Sequence, residues 1–479
     1  MIVGELRHGQ LAIIDRLRET VRISEGLKIN GNLDPVAKLR GLDCLSRFGE
    51  RLQNMHASSV RAAGTSALRR ARDSQQFLVE AEEALGHPIE VISGIEEARL
   101  IYSGVSHSLP PNDGMRLVLD IGGGSTELIL GLGVLPKALE SLHLGCVGIT
   151  ERFFPDGALT REAFEAARVA ARLELRPVKA YFRDNPDIEA IGTSGTINST
   201  ARVAGMLGLT DANQLDAEVL EKLIERVLGF GEIAFLSLPG LSERRAQVWP
   251  GGLSILVELL AVLRIERLQV SDGALREGLL YDQLGRLQHE DARERTVRAM
   301  QMRYNVDQLQ ADRVAELALT MLAQCRQQWQ LDTPLAGSML EWSALLHEIG
   351  LDIAHDGYQR HGAYIAANAD MPGFPSAEQK LLAFLIARQR RSLETRSDNQ
   401  LPAEWQDFAL RLAILLRVAV LLNRSRSARE SPMPLISVSD DSLHLQFPAE
   451  WLESNPLTVT DLNREREYLR GAGYDLTFE

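Results

Sequence analysis

The sequence predicts an α/β protein with glycine-turn sheets in front, an all-helical section behind and a small α+β tail. Three observations predict this. Through about residue 283, short apolar strands alternate with helical periodicity, as in layered α/β folds. Within that stretch, two strands return directly on each other across a run of glycines. From about Gln288 the turn-rich strands give way to long amphipathic helices.

The elements follow in order. Met1 to Ile23 alternates apolar and polar residues around Arg7-His8-Gly9-Gln10 and reads as a β-hairpin. Helical spacing covers Val36 to Leu52, followed by a strand-like Ser59 to Ala63, a Gly64-Thr65 turn and a polar helix from Ser66 to Leu85. A strand at Ile89 to Ile92 leads through Ser93-Gly94 into a helix from Ile95. The cluster Pro110-Pro111-Asn112-Asp113-Gly114 punctuates the chain, which sets the first domain border near residue 105. Arg116 to Asp120 and Thr126 to Leu132 are strands, Arg161 to Tyr181 a long helix, and Ala190 to Gly192 a strand ending in another glycine turn. The later helices span Arg298 to Gln330, Leu340 to Gly350, Ala377 to Arg391 and Glu404 to Asn423. Strands return at Leu435 to Val438 and Leu443 to Phe447, before an aromatic and charged end. The expected domains are 1–105, 106–287, 288–423 and 424–479, which agrees with a length of 479 residues at about 100–200 per domain.

Composition narrows the class. With 45% hydrophobic and 24% charged residues the chain is globular. Cys44, Cys146 and Cys325 lie far apart with no Cys-x-x-Cys pair, which argues against a disulfide framework or a thiolate zinc site and for a reducing, cytoplasmic setting. The start, Met1 to Leu6, lacks a signal-peptide pattern. The most apolar stretches, Leu253 to Leu263 and Phe408 to Leu422, are interrupted by Glu258 and by Arg411 and Arg417, so no integral membrane segment is expected. A net charge of −13 repels nucleic acid, and any polyanion must be met by metal ions or local basic patches.

The run Asp120-Ile121-Gly122-Gly123-Gly124-Ser125-Thr126 has the form of a phosphate clasp. Backbone N–H groups in a tight glycine turn make a concave set of donors, and Ser125 and Thr126 add hydroxyls. Asp120 at its start suits a divalent metal, with Glu127 as a lesser candidate on the same hairpin. A second turn, Gly192-Thr193-Ser194-Gly195-Thr196, ends a strand and opens a helix, so Gly192, Ser194 and Gly195 can offer N–H groups and a helix dipole to an anion; a plain βα turn reads equally well. Ser271-Asp272-Gly273 has the same strand-to-helix character. The two acids Glu96 and Glu97 open a helix, where pairing with the dipole is their bland reading; two adjacent acids point different ways, one to a cleft and one to solvent.

Four segments together resemble one family: Asp-Ile-Gly-Gly-Gly-Ser-Thr at 120–126, Ser-Gly-x-Glu-Glu-Ala-Arg-Leu-Ile from Ser93, Gly-Thr-x-x-Leu-Arg from Gly64, and Ser-Asp-Gly-Ala-Leu-Arg-Glu-Gly at 271–278. Leu144-Gly145-Cys146-Val147 and Leu238 to Arg245 look like further marks. The chain resembles the exopolyphosphatase/guanosine pentaphosphate phosphohydrolase family over nearly its whole length. The resemblance implies two actin-like, sugar-kinase-like (RNase H-like) ATPase-fold lobes with the active cleft between them, then a helical HD-like domain and the small tail. It makes Glu97 the cleft acid and general base, and Arg69 the cation that holds the phosphoryl group. It implies Mg²⁺, with Mn²⁺ as a substitute and K⁺ as a further ion, and a homodimer in the cytoplasm with peripheral association at the membrane. Polyphosphate hydrolysis from chain ends is the first reading and guanosine pentaphosphate hydrolysis the alternative. A non-catalytic alarmone- or phosphate-binding regulator is the reading from another class.

Relatives begin with a strand and a phosphate loop of the type Asp-x-Gly-Ser-Asn-Ser, ahead of the segment matching Met1-Ile2-Val3. Either Met1 is an internal methionine, which is the favoured expectation, or the protein is truncated ahead of the second strand and impaired. In the helical part, His347-Glu348 with His361 looks like a His-Asp metal signature in which the acid is Glu and the upstream histidine is missing, so a relic without metal is expected. Two basic clusters, Arg388-Arg390-Arg391 and Arg424-Arg426-Arg429, can either form a channel for long polyphosphate or compensate helix C-terminal dipoles.

Overall fold

Turn chemistry and strand alternation place the central sheet. β1 (Ile2–Arg7) and β2 (Gln10–Arg16) form the antiparallel hairpin, and β3 (Ala62–Gly64) pairs in parallel with β4 (Ile89–Val91). β5 (Met115–Ile121), β6 (Thr126–Leu132), β7 (Leu135–Leu142), β8 (Glu189–Thr193), β9 (Gln214–Leu215) and β10 (Leu268–Val270) build one six-stranded sheet in the order β7-β6-β5-β8-β10-β9. β5, β6 and β7 meander antiparallel, while β8 and β10 add in parallel. The structure is a computed structural model, and it describes every residue except 8–9, 20, 22, 28–30, 111, 113, 184–187, 211–213, 288–290, 392, 394–400, 402–404 and 427–432.

Contacts divide the chain into residues 1–290 and 291–479. The finer borders expected near 105 and 423 lie inside these two units. In the first unit β5 lies between antiparallel β6 and parallel β8 and is buried on both faces. Leu117, Leu119 and Ile121 face the larger core with Trp249 and Leu253. Val118 faces the other way, into a small cluster with Ala98, Ile101, Tyr102 and Val105 of the helix Gly94–Ser108. Ser93 caps that helix, its hydroxyl accepting from the amide of Glu96 at 3.1 Å.

Two long helices expected from sequence are each broken. The polar helix from Ser66 is two pieces, Ser66–Arg70 and Ser74–Leu85, because Ala71 turns extended and the amide of Arg72 donates to the carbonyl of Gly31 at 2.8 Å. The helix from Arg161 ends at Leu175 and resumes at Lys179, with Pro177 between.

The second unit is helical around Trp329, Phe374 and Leu412. The helix expected from Arg298 to Gln330 is Ala292–Arg303 followed by Gln308–Cys325: Asn305 adopts a left-handed backbone (φ 47°) and Asp307 caps the second helix. β11 (Leu435–Ser439), β12 (Ser442–Gln446) and β13 (Asp475–Phe478) form a three-stranded sheet, with the helix Pro456–Gly471 crossing between β12 and its parallel partner β13. Leu443, Leu445 and Leu476 enter the same core as the helices. No described helix is long and apolar enough to cross a membrane, and all three cysteines are free and buried.

Candidate active site

Strand register assembles the acids. Asp120 lies directly opposite Glu127 in the β5–β6 pair and beside Thr193 in the β5–β8 pair. By alternation Asp120 points to the same face as Val118, against which the helix Gly94–Ser108 packs. Glu97 sits one turn ahead of Ile101 on that helix, so it falls on the same face. All three carboxylates are buried, and Glu97 raises the proton affinity of the other two. Burial is the leading cause for Glu97, opposed by Arg69. Asp120 is pushed up to about 7, by burial first and by Glu97 in addition, against a hydrogen bond from Ser194. Glu127 is raised well above the ordinary glutamate range by burial, then by Glu97 and Asp120.

Arg69 reaches this cluster from the short helix after β3. Its Nη1 donates to Glu97 Oε2 at 2.9 Å and to the carbonyl of Ile92 at 2.8 Å. The pair is therefore held by backbone on one side. Glu96, expected to face solvent, is fully buried instead. It takes a bidentate bond from Arg99, at 2.7 and 2.8 Å, and Arg61 lies 3.7 Å away. The reason is packing: the other face of this helix is covered by the helix Leu275–Leu287, whose Asp282 pairs with both arginines.

The glycine turn is fixed from behind. The amide of Gly122 donates to the carbonyl of Ser125 at 2.9 Å, and the carbonyls of Gly122 and Gly123 accept from the amides of Cys146 and Val147 at 3.0 Å. Gly145 must be glycine for this contact, because a Cβ there would stand 2.2 Å from the carbonyl oxygen of Gly123. Those carbonyls are engaged, whereas among the described residues the amides of Gly123, Gly124 and Ser125 have no backbone acceptor and remain as donors. Ser66 Oγ would lie 2.9 Å from a Cβ on Gly124, with Arg70 just beyond, so the segment carrying Arg69 also borders the turn. Thr126 is a correction: its hydroxyl donates to the carbonyl of Leu144 in a fully buried position, fastening the turn rather than facing a ligand.

At the second turn Ser194 holds a left-handed backbone (φ 79°) and donates its hydroxyl to the carbonyl of Ile121 at 2.9 Å, tying β8 to β5 beside Asp120. A non-glycine residue in that conformation is strained, and such strain gathers at functional sites. A Cβ on Gly195 would lie 2.1 Å from Arg245 Nη2, so this arginine rests on the turn. Gly192 is a second correction: Ile197 and Leu268 cover it, and a Cβ would meet them at 2.7 and 2.8 Å, so it serves packing. The third turn does likewise. Gly273 and Gly278 admit the backbone of Gly104 and Leu100, which joins the helices Gly94–Ser108 and Leu275–Leu287.

Three residues escape a sequence reading of the site: Ser141, whose hydroxyl donates to Glu127 Oε1 at 2.8 Å from the neighbouring strand; Arg245; and Thr65, whose hydroxyl bonds Glu97. Register predicts the first, since Glu127 pairs with Ser141 across β6–β7.

Asp120 and Glu127 can hold a hard divalent cation. Two carboxylates are what Mg²⁺ ordinarily takes from protein, with substrate and water oxygens completing the shell. Among the described residues no group of three or more His, Cys, Asp or Glu converges as an all-protein metal cage. The acids also set a pH dependence. The folded state binds the Asp120 proton more tightly than the unfolded chain does, so the stability this group contributes is lost as pH rises from 3.8 to about 7. At pH 8 without divalent ions, Asp120→Asn should raise unfolding stability by about 1–3 kcal/mol, and Mg²⁺ should stabilise the parent but not the variant. A stability difference between parent and Asp120→Asn that stays flat from pH 4 to 8 would contradict this.

In the second unit Arg390, Arg391, Arg424 and Arg426 line one cavity, whereas Arg388 packs its guanidinium 4.9 Å over the Phe384 ring outside that lining. Arg429 lies outside the described residues. His347 is fully buried, its Nδ1 2.7 Å from the carbonyl of Ala344; Glu348 pairs with Arg426, and His361 is not part of the cavity wall.

A buried carboxylate beside an arginine, facing two further acids and two donor-rich turns, can take a proton from water while cation and amides neutralise a phosphate. On this α/β fold that chemistry defines a hydrolase of phosphoanhydrides. The model of the Ppx/GppA phosphatase family matches residues 2–287, and that of its domain III matches residues 292–466. A Vibrio cholerae protein named guanosine-5'-triphosphate,3'-diphosphate pyrophosphatase is 39% identical over 482 residues, covering 100% of this chain and 95% of the relative. A Photobacterium profundum protein of the same name is 38% identical over 98% of this chain and 94% of its own. The Aquifex aeolicus PPX-GPPA enzyme superposes with a TM-score of 0.50 at 27% identity, over 58% of this chain and 93% of that one. An exopolyphosphatase from Cytophaga hutchinsonii does so at 0.54 and 24% identity, over 59% and 93%, a likeness of fold. The chain belongs to the Ppx/GppA phosphatase family, with the actin-like ATPase fold in its first unit.

Proposed function

We propose that this chain removes the terminal 5' phosphate of guanosine-5'-triphosphate,3'-diphosphate. The observation that carries the reading is the Glu97–Arg69 pair set against Asp120 and Glu127, in a chain aligned end to end with relatives bearing that substrate in their names. On sequence alone polyphosphate comes first; those names move the nucleotide ahead of it. Glu97 takes a proton from the attacking water, and its burial keeps it basic enough to do so. Arg69 releases one donor from Glu97 to the phosphoryl oxygens, where charge gathers as the bond to the leaving phosphate stretches. Amides of Gly123, Gly124 and Gly195 hold the neighbouring phosphates, with Arg245 adding charge at the second turn. Mg²⁺ at Asp120 and Glu127 would supply charge neutralisation and polarise a phosphate oxygen.

The deciding experiment measures phosphate release from guanosine pentaphosphate and from polyphosphate with Mg²⁺. The expected outcome is a kcat/KM at least about tenfold higher for the nucleotide. A preference for polyphosphate would return the exopolyphosphatase reading, and binding of either without release would favour a regulator.

A further inference from the structure

The second unit holds a cavity of about 510 Å³, within the range of small-molecule sites. Its wall carries more arginines than acids. Each of its three carboxylates is already engaged: Glu465 with Arg417 at 2.9 Å, Asp461 with Arg424 at 2.8 Å, and Glu348 with Arg426. Arg390, Arg391 and Arg464 are left as excess positive charge on the same wall. Among the described residues Arg391 pairs with Asp356, an acid whose side chain is 86% exposed. Among the described residues no carboxylate pairs with Arg390 or Arg464.

This charge is held in place. Arg417, fully buried, donates from its guanidinium to the carbonyls of Arg388 and Arg391, which clamps the end of the helix Ser376–Arg388 and the residues just after it. Arg391 keeps a left-handed backbone (φ 64°) there, a conformation that persists only where surroundings enforce it. Arg390 stands 5.0 Å over the ring of Tyr358, leaving its planar fork orientated by stacking. Guanidinia around a cavity of this size, with that of Arg390 preoriented, match phosphate, which arginine binds with paired donors. The His347-Glu348 pair does not change this: the Arg426 guanidinium already occupies the acid, so the cation at that place is arginine.

We propose that this cavity is an anion site, additional to the carboxylate site of the first unit, that takes the phosphate groups of a compact ligand, either free pyrophosphate or the diphosphate of a nucleotide. Arg390, Arg391 and Arg464 contact the phosphates, and Tyr468 offers a ring face to a base when one is present. The site goes beyond the hydrolytic reading and does not depend on it.

The test uses the full chain carrying Glu97→Gln, titrated calorimetrically with pyrophosphate and separately with guanosine diphosphate. Two classes of site are expected for pyrophosphate. Adding Arg390→Gln and Arg464→Gln should weaken one class by about tenfold or more and leave the other unchanged. Arg464→Glu alone, at an exposed position, guards against misfolding and should weaken the same class. Tyr468→Leu assigns the source: loss for guanosine diphosphate alone points to a nucleotide, and no loss for either probe to bare phosphate. Pyrophosphate binding that the arginine substitutions leave untouched, in a protein of unaltered melting temperature, overturns the proposal.

Discussion

Glu97→Gln should lower kcat by about 10²–10⁴-fold without lowering stability. The amide keeps the shape of the side chain and can still meet Arg69, but it cannot accept a proton from water. Burial opposes the charged carboxylate at this position, and the amide carries no charge to desolvate. Affinity for a non-hydrolysable substrate analogue should stay within a few-fold, because the turns and Arg69 are untouched. A variant that retained more than about a tenth of parental kcat would remove Glu97 from the role of base.

One residue earlier the expected effect is of the opposite kind. Glu96→Ala should cost about 3–5 kcal/mol of stability, since it strips Arg99 and Arg61 of a buried partner in a network that also holds Asp282. Arg99 is held far to the charged side by these acids and cannot shed its proton to escape. Denaturant titration of the first unit's transition measures the loss, and kcat per folded molecule should change little. A Glu96→Ala protein as stable as the parent but inactive would reverse the assignments of the two acids.

Much of the frame is legible in the sequence. The Asp120–Thr126 hairpin announces itself through two strands and three glycines, and the Ser93 cap marks the start of the helix bearing Glu97. Alternation along β5 even separates Leu117, Leu119 and Ile121 from Val118 and Asp120. What escapes is set by partners distant in the chain. Glu96 looks like a solvent acid until the helix carrying Asp282, far along the sequence, packs against its own helix and Asp282 shares its arginine partners. Gly192, Gly273 and Gly278 have the look of phosphate-turn glycines, yet neighbouring side chains or helix backbone need their missing Cβ. The hydroxyl of Thr126 is lost to Leu144 for the same reason. The helix Pro456–Gly471 reads as a charged tail because few of its side chains, among them Leu462 and Leu469, reach the core.

The amides of Cys146 and Val147 lock the rear of the glycine turn onto a helix start, with Gly145 pressed against Gly123. The turn's conformational entropy is thus spent when the chain folds, not when substrate arrives. Its donors need no reorientation as negative charge moves during bond breaking, so the charge that grows in the transition state is met without a reorganisation cost. Loosening that rear lock, by any residue larger than glycine at 145, should then slow turnover more than it weakens ground-state binding.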